Sequence, residues 1–464
     1  MKRLAGRVYQ TRLVALVVLV MAVLKAMYTF PRPKELSPSN IVPIGKGWAS
    51  NTVNTVIFRH HGLVSKDGFQ FGAYYGADGE LWVVRRELKT DRVVLHQIHG
   101  PFNTTDAHNS ISLGLDRLGF LHISYDQHGD TLRYRRSSRP LSIDAWSEEL
   151  PMTGVREGQV TYPSFLMSRI GEGYGPLLFL YRLGVSGDGD ACLKEYDEAR
   201  RCWVDRNPCI LKGTGQRPWT SNPYWNHPAF DKYGRLHLSF VWRTHATGKD
   251  RIVSNINIDY AFSPDLGRTW FTSRGRPLKM PITQVNSETV FAVSPGANLI
   301  NQASSAVDSN GRPHIAFYSD DPDGVPQYQH LWFDGKKWRH SYVSERTEPF
   351  VLRGGGTLPI PISRPEVVID DADNVYIVFR GDLTGQRMAV KRLLAPDYQP
   401  YGEMRILWGD TVEFAEPVID RIRWHSDRVL SMLIQRSGQP AHDGEAPKRT
   451  EPIFIVDWNL VNGW

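Results

Sequence analysis

Cysteine is nearly absent: three in 464 residues, Cys192, Cys202 and Cys209, all within one short segment. A disulfide framework is therefore excluded, and stability has to come from a packed core. One disulfide with a spare thiol is the plain expectation for an oxidising compartment. A structural metal held by these thiolates and a histidine such as His227 is the sharper one, although the spacing matches no standard zinc pattern. Long apolar runs are also missing. The longest, residues 13–24, is twelve residues, short for a membrane span. It follows a basic stretch, as the core of a secretory signal does. Residues 1–30 are expected to be a signal peptide or an N-terminal membrane anchor, and the remainder to be exported.

An excess of one charge is lacking too, once its location is considered. Residues 1–30 carry Lys2, Arg3, Arg7, Arg12 and Lys25 with no acid, which leaves 50 basic against 49 acidic residues elsewhere. So balanced a body lacks the electrostatic footprint of a nucleic-acid binder. No segment beyond the signal region shows an amphipathic helical period. No polar or proline-rich block divides the chain, so residues 40–464 are expected to form one domain, acting as a monomer.

What is present is a repeat: a turn with Gly, Asp or Asn, then a strand alternating apolar and polar residues. Examples are Asp116-Arg-Leu-Gly-Phe-Leu-His-Ile-Ser-Tyr125, Asp231-Lys-Tyr-Gly-Arg-Leu-His-Leu-Ser-Phe240 and Asp308-Ser-Asn-Gly-Arg-Pro-His-Ile-Ala-Phe317. Seven copies are marked by Gly79, Gly119, Gly175, Gly234, Gly311, Asn374 and Asp427. Units of roughly 40 to 80 residues suit four-stranded blades with decorated loops. The fold expected is all-β: a seven-bladed β-propeller of four-stranded antiparallel blades. Ser263-Pro-Asp-Leu-Gly-Arg-Thr-Trp270 has the form of an Asp-box, a turn staple of propellers that carries no chemistry of its own.

Propeller sites lie at one mouth of the channel, so residues at strand entries and exits are the ones to examine. His108 precedes one strand and His128 follows the next, which puts both at one blade edge if those strands pair antiparallel. Tyr162 and Arg182 open and close a hairpin in the next blade, and Tyr224 and Arg243 do so in the one after. His122, His237 and His314 instead recur mid-strand at one repeat position, which assigns them to blade packing.

A mouth with His, Tyr and Arg but no evident carboxylate pair suits an anionic substrate and proton transfer. β-Elimination from a uronate-containing polysaccharide is one such reaction. Arg pairs with the carboxylate, a neutral His or activated Tyr takes the C5 proton, and a His or Tyr protonates the departing oxygen. No metal or organic cofactor is required for that chemistry.

Asp106-Ala-His-Asn-Ser110, Tyr125-Asp-Gln-His-Gly129, Thr161-Tyr-Pro163, Leu180-Tyr-Arg-Leu-Gly184, Leu299-Ile-Asn-Gln302 and Ile362-Ser-Arg-Pro-Glu366 resemble the BNR-repeat propellers that include ulvan lyases. The resemblance covers roughly residues 50–440. It implies a seven-bladed propeller with a His/Tyr/Arg site that eliminates at a uronate of an anionic polysaccharide. By motif position, His108 and His128 resemble the family's active-site histidines. Tyr162 resembles its base or acid, and Arg182 the arginine that neutralises the carboxylate. Tyr224 resembles a further active-site tyrosine, in surroundings that depart from the family's. Asn109 and Arg243 are expected with Tyr224 in substrate binding.

Two other classes stay open. A sialidase-like hydrolase would use several arginines (Arg182, Arg243, Arg364, Arg380) to clamp a sugar carboxylate, but needs a Tyr/Glu pair that the sequence does not identify. A non-catalytic carbohydrate-binding propeller would need only the aromatic mouth.

Overall fold

The computed structural model describes residues 33–170, 173–215, 221–244, 252–444, 446–461, 463 and 464. The expected signal segment, residues 1–30, lies outside them. No helix among the described residues is long and apolar enough to cross a membrane. Residues 35–464 make one compact unit.

Seven antiparallel sheets follow one another along the chain. The first has the plain form: Leu63–Lys66, Phe69–Tyr75, Leu81–Glu87 and Val93–Ile98 pair in chain order. First strands of successive sheets pack side by side around the channel. These inner strands are short and wholly buried, as in Leu63–Lys66 and Glu366–Ile369, while the outer Trp338–Tyr342 is half-exposed. The last sheet closes the ring. Its outermost strand is Asn40–Trp48 from the start of the chain, paired antiparallel with Thr450–Trp458.

Most blades have the expected four strands, with departures in the second, third, fourth and seventh. The second sheet has three strands. The third has five, because His128–Asp130 leaves the second blade and pairs with Val160 and Thr161. The inner strand of the fourth is split into Ser221–Trp225 and Ala229–Phe230. In the seventh, a helix of seven residues, Arg421–Asp427, replaces the expected hairpin turn, with Asp420 accepting a bond from the Arg423 amide as its N-cap.

The marker Gly79 is out of step with the others. It turns between the second and third strands of the first blade, whereas Gly119, Gly234 and Gly311 turn between first and second strands. Gly68 is the equivalent residue, and its use evens the spacing. The repeat itself is a local hydrogen-bond unit. Asp116, Asp231 and Asp308 each accept the amide four residues on, at 2.8–2.9 Å. Asp116 and Asp231 also lie 3.4 and 3.3 Å from the Nε2 of His122 and His237. The Nδ1 atoms of His122 and His237 meet the Tyr134 and Tyr260 hydroxyls, and that of His314 meets His330. Both ring nitrogens of His122 and His237 are satisfied within the blade, and His314 is held by its one bond to His330, so these histidines belong to the fold.

The expected disulfide does not form: all three cysteines are free. Cys192 is buried in one strand of the Asp188–Asp197/Cys202–Leu211 hairpin, with its thiol 2.9 Å from the Pro208 carbonyl. Cys202 is exposed at the far end, opposite Asp197. Five residues of strand hold Cys192 and Cys202 roughly 16 Å apart, so the three sulfurs do not gather in one place.

In the turn at residues 263–270, Asp265 Oδ1 accepts the Arg268 and Thr269 amides at 3.1 and 2.8 Å, and the Gly267 amide donates to Ser263 Oγ at 2.7 Å. Trp270 is buried beneath it and donates to the Gly267 carbonyl. Gly267 has φ +94°, and a Cβ there would run into Leu193. Gly267→Ala should therefore cost about 1–3 kcal/mol, read as a lower urea midpoint at unchanged slope; an unaltered midpoint would show that the turn tolerates a side chain.

Candidate functional site

The segment from residue 49 to residue 62 links the outermost strand of the closing blade to the inner strand of the first. It is buried throughout. Thr52 bonds to Gln439, Thr55 to Ser437, and the Ile57 amide to Glu416, while the Arg59 guanidinium bonds the carbonyls of Asn54, Ala73 and Ile111. This linker fills the channel and presents Phe58 as the floor of a cavity of about 380 Å³.

The cavity brings together residues from blades far apart in sequence: His108, His128, Tyr162, Tyr224, Arg243, Asn301, Gln302, Thr357 and Arg364 among them. His108 sits in a single 3-10 turn, Ala107–Asn109, whose N-cap is Asp106. Asp106 Oδ1 accepts the His108 amide at 2.8 Å and lies 2.8 Å from His108 Nδ1, while Oδ2 lies 2.5 Å from His128 Nδ1. The two imidazoles stack at 3.9 Å with an 11° interplanar angle, and Phe58 covers the other face of His108 at 5.4 Å. One carboxylate thus receives a proton donor from each ring.

Burial resists the Asp106 charge, but the bonds from His108 and then His128 outweigh it and hold this carboxyl well below the usual range. An ionised carboxylate only accepts, so both histidines carry the Nδ1 proton. Nε2 is the remaining nitrogen of each ring. Burial is also the main force on His108, pushing it down to about 4; the bond to Asp106 opposes this, while His128 adds to it. At neutral pH His108 is an uncharged proton acceptor.

Donor atoms of Asp106, His108 and His128 all lie within 4.8 Å of one another, close enough to surround a cation. Here each Nδ1 is turned onto a carboxylate oxygen at hydrogen-bond distance, which makes the trio a proton-bridged unit.

Tyr162 occupies a bulge where the strand register shifts between Thr161 and Ser164, and its φ of +56° turns it off the regular strand direction. Its ring lies 5.8 Å from His108 and 6.0 Å from Tyr224. The two tyrosines differ electrostatically. Burial and the neighbouring Tyr224 push Tyr162 up to about 12 despite three arginines. Burial acts the same way on Tyr224, but Arg243 and then Arg182 overcome it, and this phenol falls below the ordinary tyrosine value. Arg243 stacks over the Tyr224 ring at 4.5 Å and its Nη1 lies 3.4 Å from the hydroxyl.

Arg182 is 1% exposed and does not line the cavity. It lies over the Tyr162 ring at 4.9 Å and donates to Thr161 Oγ1 at 3.0 Å. Asn109 is buried and donates to the Asn103 carbonyl at 2.9 Å, also away from the lining. Among the described residues, the guanidiniums that line the cavity are those of Arg243 and Arg364, joined through Asn301: Arg243 Nη2 donates to its side chain and Arg364 Nε to its carbonyl, both at 2.8 Å. Arg380 is wholly buried and spends its guanidinium on backbone carbonyls and Gln386.

Residue patterns did not assign a role to Asp106, Phe58 or Thr357. For Asp106 the available signal was its place two residues before His108, an N-cap position; Phe58 and Thr357 reach the site by long-range packing alone.

Fold and cavity together define a seven-bladed propeller with a histidine, tyrosine and arginine cleft at one end of its channel. The chain belongs to the BNR repeat-containing family, whose pattern matches residues 69–346. It is 33% identical over 351 residues to an ulvan lyase of Alteromonas sp. (strain LOR), an alignment covering 63% of this chain and 66% of that relative, just under two thirds of its length. Its fold is similar to that of polysaccharide lyase Uly1 (TM-score 0.63, 17% identity, 86% of this chain and 90% of that one). It is likewise similar to a PL25 ulvan lyase bound to -[GlcA(1-4)Rha3S]- (TM-score 0.63, 15% identity, 90% and 96%).

The neutral His108 predicts an acid liability with a defined window. In the unfolded chain the group titrates near 6.5, in the fold at about 4. Between these values the unfolded chain binds a proton that the fold does not. Stability from this group is thus complete above 6.5, is lost as pH falls to 4, and loses nothing more below it. The whole difference is about 3 kcal/mol. His108→Gln should flatten the urea-stability profile across this window; an identical slope in both proteins would mean that the imidazole is not held neutral.

Proposed function

We propose that this protein is a polysaccharide lyase that cleaves a uronate-containing, ulvan-like anionic polysaccharide by β-elimination. The observation that carries the reading is the cavity's lining: the imidazoles of His108 and His128, the Tyr224 phenol with the Arg243 guanidinium over its ring, Arg364, and the amides of Asn301 and Gln302, with no Asp or Glu among the described lining residues. Similarity to an ulvan lyase supports the same reading. Hydrolysis by a carboxyl pair, or by a tyrosine backed by a glutamate, lacks its acidic member here. Glu416 is bound to Arg364, and Asp106 to the two imidazoles.

In the mechanism, Arg243 and Arg364 hold the uronate carboxylate and stabilise the enolate-like charge that grows on it. His108 Nε2 removes the C5 proton, with His128 beside it. The C4–O bond then breaks as the C4–C5 double bond forms, and Tyr224 protonates the departing oxygen. Its lowered pKa makes it the better donor of the two tyrosines. Tyr162 stays a neutral phenol, and Arg182 acts on both tyrosines from behind. These steps draw on protein side chains alone. The basic and then apolar N-terminus supports an exported location for this activity, where such a polysaccharide would be met.

Incubation with ulvan and other uronic polysaccharides should give unsaturated ends that absorb in the ultraviolet. Reducing ends without that absorbance would replace this reading by hydrolysis, and binding without cleavage would replace it by a lectin-like role. Tyr224→Phe should lower kcat about 10²- to 10⁴-fold, whereas Arg364→Ala should raise KM as well as lower kcat, since the same guanidinium holds the carboxylate and stabilises the charge that grows on it. A Tyr224→Phe enzyme of full activity would transfer the acid role to another group.

A further inference from the structure

A strap from another part of the ring covers the Nδ1 edge of His108. Thr357 Oγ1 lies 3.0 Å from His108 Nδ1, and Thr357 follows three glycines, Gly354, Gly355 and Gly356, that line the cavity. Gly354 and Gly356 have φ of +118° and +71°, conformations that cost glycine little and other residues much. This strap makes few bonds of its own. It is fastened from the closing blade: Gln439 Nε2 donates to the Thr357 carbonyl at 3.2 Å, and the Thr357 amide donates to Asp443 Oδ2 at 3.3 Å. Any Cβ at Gly356 would run into the Asp443 carboxylate. The next residue, Gly444, donates its amide to the Thr105 carbonyl, one position before Asp106. The other oxygen of Asp443, Oδ1, is buried without a partner.

We propose that Asp443 is a positioning residue of this site: its carboxylate seats the glycine strap so that Thr357 seals the Asp106–His108 hydrogen bond from water and keeps the imidazole an uncharged proton acceptor. Two loops meet at the edge of a single buried ring, and a carboxylate oxygen left unpaired is a costly thing to bury unless the group secures something. The groups that face His108 are Asp106, His128 and Arg182. Those that face Asp443 are Asp106, His128 and His442; burial first and the Asp106 charge second push its carboxyl up to about 6. Above that value it is ionised, able only to accept, and fit for the Thr357 amide.

The sign of one measurement separates this role from a simple electrostatic one. Loss of the Asp443 charge by itself would move the His108 titration midpoint further down, since a nearby anion favours the imidazolium. Loosening of the strap hydrates the ring and moves the midpoint up toward 6.5. The experiment is histidine NMR titration of the full-length protein, wild type against Asp443→Ala, Asp443→Asn and Gly356→Ala, alongside the ultraviolet elimination assay on ulvan.

Asp443→Ala and Gly356→Ala should raise the midpoint and lower kcat about 10- to 100-fold, with KM changed much less. Asp443→Asn, which keeps an acceptor for the Thr357 amide, should restore both toward wild type. The acid limb of kcat should move up with the midpoint. A midpoint that falls or stays fixed in Asp443→Ala overturns the proposal, and Gly356→Ala decides it by the same criterion if Asp443→Ala does not fold. The kinetic half rests on the lyase reading, whereas the NMR half does not: a wild-type protein without elimination activity would overturn that reading and leave the midpoint to judge the strap.

Discussion

The pairing of Asn40–Trp48 with Thr450–Trp458 is the constraint on which everything else hangs. It joins the start of the chain to its end across the outer edge of one blade, and so turns a row of seven sheets into a ring. Buried charge reinforces the join. Asp457 lies 2.7 Å from both Arg86 of the first blade and Arg423 of the short helix, and Ser431 donates to it as well. Ring closure also decides where the linker after residue 48 must go, because the chain has to travel from the outside of the last blade to the inside of the first. That passage carries Phe58 beneath the cavity.

Once the ring is closed, sites distant in sequence become neighbours without special devices. His108 and Thr357 are 249 positions apart and touch. Arg364 and Phe58 come from the sixth blade and the linker and stack at 5.5 Å. The cavity owes its character to a division of labour among charges. Asp106 is spent on two imidazoles and Glu416 on Arg364, so the acids stand behind the wall and the bases and cations form its face. Such a face favours an anionic substrate and a neutral proton acceptor, and it disfavours chemistry that needs a free carboxyl group.

Much of the fold was legible because its causes are local. An Asp, a Gly and a mid-strand His within seven residues build a local hydrogen-bond unit: Asp116, Asp231 and Asp308 each accept the amide four residues on, and the first two also reach the histidine. The entry-and-exit argument worked for His108, His128, Tyr162, Tyr224 and Arg243, since strand ends at one mouth must converge. It did not carry Arg182 to the cavity wall. Arg182 closes its strand as Arg243 does, yet it is tucked behind Tyr162, where the bulge at residues 161–164 turns the tyrosine into the cavity and the arginine out of it. A one-residue irregularity of that kind changes which side faces the substrate and leaves no trace in an alternating pattern.

What the amino-acid sequence determined by itself was the architecture and the chemical inventory: seven repeats, near-neutral charge beyond residue 30, and histidines, tyrosines and arginines at strand ends. These depend on spacing and residue type, which are properties of short segments. Only the tertiary structure decided that one carboxylate, Asp106, serves both histidines, that Tyr224 and not Tyr162 has the lowered phenol, and that Thr357 and Asp443 close the edge of His108. Each of these turns on distances between blades and on burial, and both arise when the ring closes and water is removed from its mouth.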